Sequence, residues 1–348
     1  TEFTYGLPCM LMGYVKEQGS VAEVRDAFCT QGMSFAESTD GCGIGCDSLA
    51  ASEAALETGA WEQAELHAYK AYFKAKAAEQ LGIMISSKLV LDRLNLIQGS
   101  SRDRILSNST LKDEVIAANN PVLNTTFDLC GAYINGCLGR VDSIPEWIRK
   151  GDIEKGNFLF QGTGFFYVVY GKCLLLGKKY IELDSLCESF STFLKPFQYH
   201  LIRIYFMIYE SVTKSYLESR PRGGEILKEA LKLAEKDHLI MPFAENTGHV
   251  RLMLEALLKR EENPYIREVL EACRRYSSQL KLFHACEVSL FPHVPGFLLI
   301  PSPFASSVYR HSGRERSDRV SSAHHCRDGS HHGAVSGNTP AYRGRYPF

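Results

Sequence analysis

The chain has 348 residues, of which 45% are hydrophobic and 23% charged, and its formal net charge is −1. This near-neutral balance excludes recruitment of nucleic acid or an anionic membrane by overall charge. No apolar run approaches the roughly 18 residues that a spanning helix needs, and no signal-peptide pattern opens the sequence. The 11 cysteines are odd in number and scattered singly through helical patterns. We therefore expect reduced thiols in a cytoplasmic protein rather than a disulfide framework.

Helical periodicity dominates from about residue 20 to residue 281. A capping box at Ser20 and Glu23 predicts the start of the first long helix, and Asn263 before Pro264 predicts the start of the last. Further amphipathic segments follow one another between these points, and convincing strand alternation is absent. The sequence therefore predicts an all-α fold.

The stretch TDGCGIGC, residues 39–46, places three glycines and two cysteines just before a helix. A nucleotide-binding loop would need a third glycine where Cys46 stands, or a Gly-Lys-Ser/Thr sequence where Asp47 follows. Cys42 and Cys46 could supply half of a zinc or redox site, but no second pair is evident nearby. The favoured prediction is an entry turn built by the glycines, with Asp47 as the N-cap of the helix.

The helices come in pairs joined by short turns, which is typical of a tetratricopeptide-like (TPR-like) repeat. With Gly59 as the turn position, Ser52, Ala64 and Ala71 fall where two paired helices touch, and Trp61 opens the second helix. Irregular copies follow at a spacing of roughly 40 residues. Stacking such pairs predicts a superhelix with a concave face lined by the first helix of each pair.

Counting along the repeat places Glu53, Phe165 and Lys172 on this concave face, and we predict that they bind a ligand or partner. Glu53 and Glu57 lie four residues apart on one helix face, a spacing that is also typical of a solvated pair. No G-x-S-x-G, H-E-x-x-H or kinase-type signature appears. We therefore predict no catalytic residue, no metal ligand and no enzyme.

The amino-acid composition of the chain changes after Lys281. Four prolines in SLFPHVPGFLLIPSPF exclude a long helix, and residues 305–348 contain seven Arg and five His but no Leu or Ile. The predicted division is a helical domain over 1–281, a Pro-rich linker over 282–304 and a disordered tail over 305–348. The tail sequence AHHCRDGSHHG is expected to bind nickel or zinc only adventitiously, and a shifted reading frame would explain its composition.

Several stretches of the helical part carry a family resemblance. YGLPCMLMGYVKEQGSVAEVRDAF and TDGCGIGCDSLAASEAALETGAWEQAELHAYKA, with the later phrases DSIPEWIRKGDI and PFAEN, resemble the effector-sensing superhelical region of LuxR-type transcription regulators of the maltose-activator (MalT-like) class. The resemblance covers about residues 1 to 281. It implies a TPR-like sensor arm of a cytoplasmic regulator, non-catalytic in itself, whose partner is a small-molecule inducer or a regulatory protein.

Members of this class also have an ATP-binding P-loop module upstream and a DNA-reading helix-turn-helix downstream. The chain contains neither a Walker loop nor the LT-x-R-E opening of the helix-turn-helix. We therefore expect ATP and DNA to bind only through modules missing from this sequence, with no cofactor in the chain itself and with self-association left open. The alternative prediction is a stand-alone TPR-like adaptor that binds protein and has no link to transcription.

Overall fold

The computed structural model describes residues 3–4, 6–99, 108–194 and 199–290. Over these residues the chain forms 15 α-helices and no β-strand, which confirms the all-α prediction. The chain divides between His293 and Val294 into two units, and all described residues belong to the first. The predicted tail over 305–348 and most of the predicted linker lie outside the described residues.

The bounds of the helices are as follows in chain order: α1 Met10–Tyr14, α2 Val21–Ser38, α3 Cys46–Glu57, α4 Trp61–Ala77, α5 Leu81–Gln98, α6 Asn108–Ala117, α7 Pro121–Cys137, α8 Glu146–Arg149, α9 Phe160–Leu176, α10 Tyr180–Leu194, α11 His200–Leu217, α12 Arg220–Glu235, α13 Met241–Ala244, α14 Thr247–Arg260 and α15 Pro264–Leu290. Short 3-10 turns at Val141–Ser143 and Ile153–Lys155 flank α8. Helix α15 extends past Lys281, the residue at which the predicted helical domain ends.

Helices that follow one another in the chain pack together, as α3 does on α4 and α11 on α12. Alternate helices also contact one another, so that α3, α5, α7, α9, α11 and α13 form a ring in which α13 returns to α3. This arrangement of pairs fits a helical repeat. Because the inner helices of the ring face one another, side chains from distant parts of the sequence meet at its centre.

The first predicted helix pair has the expected contacts. Gly59 has a φ of 84° and forms the turn between α3 and α4, and Trp61 is the first residue of α4. Ser52, Ala64 and Ala71 are each 0% exposed. Small side chains let the two helix backbones approach closely, which is why these positions are buried without a bulky residue.

The glycine-rich loop is an entry turn, as predicted. Gly41, Gly43 and Gly45 all have positive φ values, of 84°, 86° and 99°, which other residues rarely adopt. The predicted cap is wrong, because α3 begins at Cys46 after Gly45 as its N-cap. Asp47 lies inside the first turn, where its carboxylate forms an ion pair with Lys74 of α4 at 2.7 Å.

Helix α2 begins after Ser20, but its N-terminus is not closed by a capping box. The Ser20 hydroxyl donates to the Glu17 carbonyl and makes no cap hydrogen bond. Instead, the Asp237 carboxylate at the end of α12 accepts from the backbone N–H groups of Gly19 at 2.5 Å and Val21 at 2.9 Å. At α15 the predicted cap is confirmed, because the Asn263 side chain accepts from the Ile266 N–H.

The N-terminal segment belongs to the core of the described unit. Leu11 and Met12 of α1 are 0% exposed, and α1 contacts α2, α3, α9 and α11. Aromatic residues on α9 and α11 also belong to the core, since Phe166 and Tyr209 are 0% exposed. None of the helices in the described part of the chain is long and apolar enough to cross a membrane.

Candidate functional site

A buried polar cluster lies where the inner helices meet, and we call it the polar centre; its members are Glu57, Arg93, Tyr133, Tyr205 and Glu245. Arg93 of α5 donates through Nε to Glu245 Oε1 at 2.7 Å and through Nη2 to Glu245 Oε2 at 3.2 Å. Its Nη1 lies 2.8 Å from Glu57 Oε1 on α3. The hydroxyls of Tyr133 and Tyr205 also donate to the Glu245 carboxylate. One guanidinium therefore joins helices that are far apart in sequence.

Burial and charge act against each other in the polar centre. Burial raises the pKa of Glu245, but the attraction of Arg93 outweighs it and holds that pKa below its usual range. Burial also raises the pKa of Glu57, and the nearby Arg93 offsets this only in part, with Glu245 adding repulsion. Burial lowers the pKa of Arg93, yet the two carboxylates outweigh it and hold the guanidinium charged. Charges this deep are stable only when they are paired.

Of the three predicted site residues, Glu53 lies nearest to the N-terminal segment. Its carboxylate accepts from the backbone N–H groups of Met10 at 3.0 Å and Leu11 at 2.9 Å, and from the Cys9 thiol. It thereby satisfies the free N–H groups at the start of α1. Burial raises the pKa of Glu53 to about 7. The residue is 1% exposed. The structure therefore places the Glu53 side chain in the interior, whereas repeat counting placed it on the concave face.

The other two predicted residues are also interior. Phe165 of α9 is 1% exposed and packs on Tyr133, with ring centroids 5.4 Å apart. Lys172, also on α9, donates through Nζ to the Glu245 carbonyl at 2.7 Å and to Asn246 Oδ1 at 3.1 Å. Counting along the repeat places all three residues on inner helices. Their side chains do not reach an open face, because they are covered by neighbouring helices and, at Glu53, by the N-terminal segment. Glu53, Phe165 and Lys172 remain predicted binding residues whose side chains are packed inside the protein.

An open cavity lies elsewhere, between α5, α6, α7 and the far end of α15, and we call it the α15 groove. Its volume is about 400 Å³, within the range of small-molecule sites. Its lining combines apolar side chains with charged and amide groups. The lining residues are Ile85, Lys88, Leu89, Asp92, Asn95, Leu96, Leu111, Lys112, Phe127, Cys130, Gly131, Ile134, Asn135, Leu138, Arg140 and Phe283.

The polar groups of the α15 groove are suited to bind a ligand. Lys88 and Asp92, one helical turn apart on α5, form an ion pair. Asn95 Oδ1, one turn further, is buried and has no hydrogen-bond partner among the described residues, so a ligand donor would relieve the cost of leaving it unpaired. Across the groove, the Arg140 guanidinium lies over the ring of Phe283, 5.9 Å from its centroid.

Helix α5 links the α15 groove to the polar centre. Lys88, Asp92 and Asn95 follow the i, i+4, i+7 spacing of one helix face and line the groove, whereas Arg93 enters the polar centre. Helix α7 does the same, since Tyr133 faces the centre and Ile134 the groove. A ligand in the groove would therefore contact the same two helices that contribute Arg93 and Tyr133 to the polar centre.

The two cysteines of the glycine-rich loop were candidates for half of a metal or redox site. The described residues contain no group of three or more His, Cys, Asp or Glu side chains placed to hold a metal ion. Cys42 is half-buried and Cys46 is buried, and burial raises the pKa of Cys46 to about 11. A thiol with such a pKa is almost entirely protonated near neutral pH, which leaves it unreactive.

Sequence analysis missed the polar centre and the α15 groove. The signal for the centre was Arg93, a charged residue within the apolar run LVLDRLNLI. A buried Arg needs acidic partners, but Glu57 and Glu245 come from other helices and cannot be identified by spacing along the chain. The groove had a weaker signal, the helical spacing of Lys88, Asp92 and Asn95.

No model of a known protein family matches the chain, and neither does any curated protein or solved structure.

Proposed function

We propose that this chain is the effector-sensing arm of a LuxR-type transcription regulator, acts without catalysis, and works in the cytoplasm. In this proposal, ATP and DNA bind to modules that the sequence does not contain, and the helical part has a TPR-like superhelical arrangement. The family assignment is supported by the sequence stretches that resemble MalT-like sensor regions. The sensing role is supported by the α15 groove.

One observation carries the sensing role: Phe283 of α15 lines a groove whose other lining residues come mainly from α5, α6 and α7. Helix α15 is the last described helix, and in the MalT-like arrangement the DNA-reading module follows it. A ligand between α7 and Phe283 would favour one position of α15 over others. Such a ligand changes the equilibrium between arrangements only if it binds one of them better.

The lining of the groove indicates the chemistry of the inducer. Lys112 and Arg140 favour an anionic group, and Asn95 Oδ1 favours a donor such as a hydroxyl or amine. The rings of Phe127 and Phe283 favour an apolar body between these groups. The proposed inducer is therefore a small organic anion that also carries hydrogen-bond donors.

The test is a thermal-shift screen of the purified chain against a panel of small hydroxylated and amino-substituted carboxylates. Gly131 offers a blocking variant, because a Cβ at this position would meet nothing within 4 Å and the residue lines the groove. We expect at least one panel member to stabilise the wild type, and Gly131→Trp to abolish that effect. Gly248→Trp is the matched control, since Gly248 also has open space but lies on α14.

A hit that still stabilises the Gly131→Trp variant binds elsewhere and contradicts the proposed site. A panel without any hit, together with specific capture of a protein partner by the same chain, would favour the adaptor. In that case the exposed faces of the helices would carry the function rather than the groove.

A further inference from the structure

A second groove lies on another side of the described unit, between α11, α12 and α14, and we call it the α12–α14 groove. Its volume is about 490 Å³. It has no part in the proposed sensing role, because it shares no residue with the α15 groove. Its lining residues are Val212, Ser215, Tyr216, Arg220, Pro221, Gly224, His249, Leu252, Met253, Ala256, Leu257 and Arg260.

Large apolar side chains are exposed in this groove. Leu252 is 63% exposed and Tyr216 is 65% exposed, and both belong to the lining. Met253 also belongs to the lining and supplies a flexible, polarisable side chain. Water over the Leu252 and Leu257 side chains gains no hydrogen bonds from them, so an apolar ligand that displaces this water is favoured.

The charged lining residues are all positive. Arg220 stands at the start of α12 and Arg260 at the end of α14, and no Asp or Glu lines the groove. Neither guanidinium forms an ion pair or hydrogen bond with another described residue, whereas the neighbouring Arg222 pairs with Glu225 and Glu218. Burial lowers the pKa of His249 to about 4, so this lining residue is neutral at physiological pH and adds no charge to the groove. Two unpaired cations beside an apolar surface complement an anion that carries a hydrocarbon chain.

We propose that the α12–α14 groove binds a free amphipathic carboxylic acid, such as a medium-chain fatty acid. The hydrocarbon chain lies along Leu252, Met253 and Leu257, and the carboxylate pairs with the arginines at the rim. A guanidinium binds a carboxylate through two parallel N–H donors, which makes this pair stronger than a simple charge contact. An alkylammonium ion of the same length is repelled, and the corresponding alcohol keeps only the apolar contacts.

The probe is decanoate below its micelle concentration, and binding is measured by equilibrium dialysis against the purified chain. Decanol and decyltrimethylammonium are the chemical controls for charge. Gly224→Trp blocks the groove, because a Cβ at Gly224 would meet nothing within 4 Å and the residue lines it. Arg220→Gln and Arg260→Gln remove one guanidinium each, and Arg222→Gln is the matched control because Arg222 does not line the groove.

We expect saturable decanoate binding that Gly224→Trp abolishes. Each of the two rim variants should weaken it about tenfold or more, because each loses the charge and the paired N–H donors of one guanidinium. Arg222→Gln and Gly131→Trp should bind as the wild type does. The proposal is overturned if decanoate does not bind, if the Gly224→Trp variant retains binding, or if decyltrimethylammonium binds as tightly as decanoate. Weaker decanoate binding by the Arg222→Gln variant would also overturn the proposal, because it would show a general effect of positive charge and no specific site.

Discussion

The Glu53 carboxyl should make the stability of this protein depend on pH in a direction opposite to that of most carboxylates. Burial raises its pKa from 4.5 to about 7. Between these values the folded state holds a proton that the unfolded state has released, so the free energy of unfolding falls as pH rises. The stabilisation is fully present below about pH 4.5 and is lost above about pH 7.

The size of the effect follows from the shift. One pKa unit corresponds to about 1.36 kcal/mol, so the whole range amounts to about 3 kcal/mol, of which about 2 to 3 kcal/mol falls between pH 5 and pH 8. Glu53→Gln removes the ionisation and keeps one oxygen that can accept from the Met10 or Leu11 N–H. We expect the variant to match the wild type within about 1 kcal/mol at pH 5 and to exceed its stability by about 2 to 3 kcal/mol at pH 8.

Urea unfolding followed by circular dichroism at pH 5 and pH 8 measures both free energies. Glu62→Gln is the control, because Glu62 is exposed on α4 and its replacement should change nothing at either pH. If the difference between wild type and Glu53→Gln were the same at both pH values, the carboxyl would titrate normally and the argument from its burial would be refuted.

Three further predictions concern single side chains. Arg93→Met should cost about 3 to 5 kcal/mol, because it leaves Glu57 and Glu245 buried without their cation; a cost below 1 kcal/mol in urea unfolding would contradict this account of the polar centre. Gly45→Ala should destabilise by more than about 1 kcal/mol, since its φ is 99° and an added Cβ would lie 2.9 Å from the Ala71 carbonyl oxygen; an unchanged melting temperature would show that the turn relaxes freely. Gly131→Ala should stabilise by about 0.5 to 1 kcal/mol, because it replaces a helical glycine where a methyl group has space; a loss of stability would contradict the presence of open space at this position.

The helices themselves could be predicted because their causes are local. Apolar residues at helical spacing, the turn at Gly59 and the Asn263 cap each act within a few residues of the chain. The cap of α2 could not be predicted, since Asp237 reaches the Gly19 and Val21 N–H groups from more than two hundred positions away. The capping box correctly indicated where the helix begins. The hydrogen-bond acceptor at its N-terminus, however, is the Asp237 carboxylate and not the Ser20 hydroxyl.

The candidate sites were harder to predict because they arise where distant helices meet. Repeat counting placed Glu53 and Lys172 on inner helices, but it gave no sign that α1 would pack against Glu53. The pairing of Arg93 with Glu245 spans 152 positions, and no periodic pattern in the sequence relates the two residues. The α15 groove depends on Phe283, a residue past the point at which the helical domain was expected to end.

The central claim is that an occupant of the α15 groove restricts the motion of α15. Hydrogen exchange of the α15 amides in the wild type and in Gly131→Trp tests this directly, since the tryptophan side chain fills the groove without any added ligand. We predict slower exchange around Phe283 in Gly131→Trp, with Gly224→Trp, which fills the other groove, indistinguishable from the wild type. Equal exchange in all three proteins would contradict the claim, because it would show that filling the groove leaves α15 unchanged.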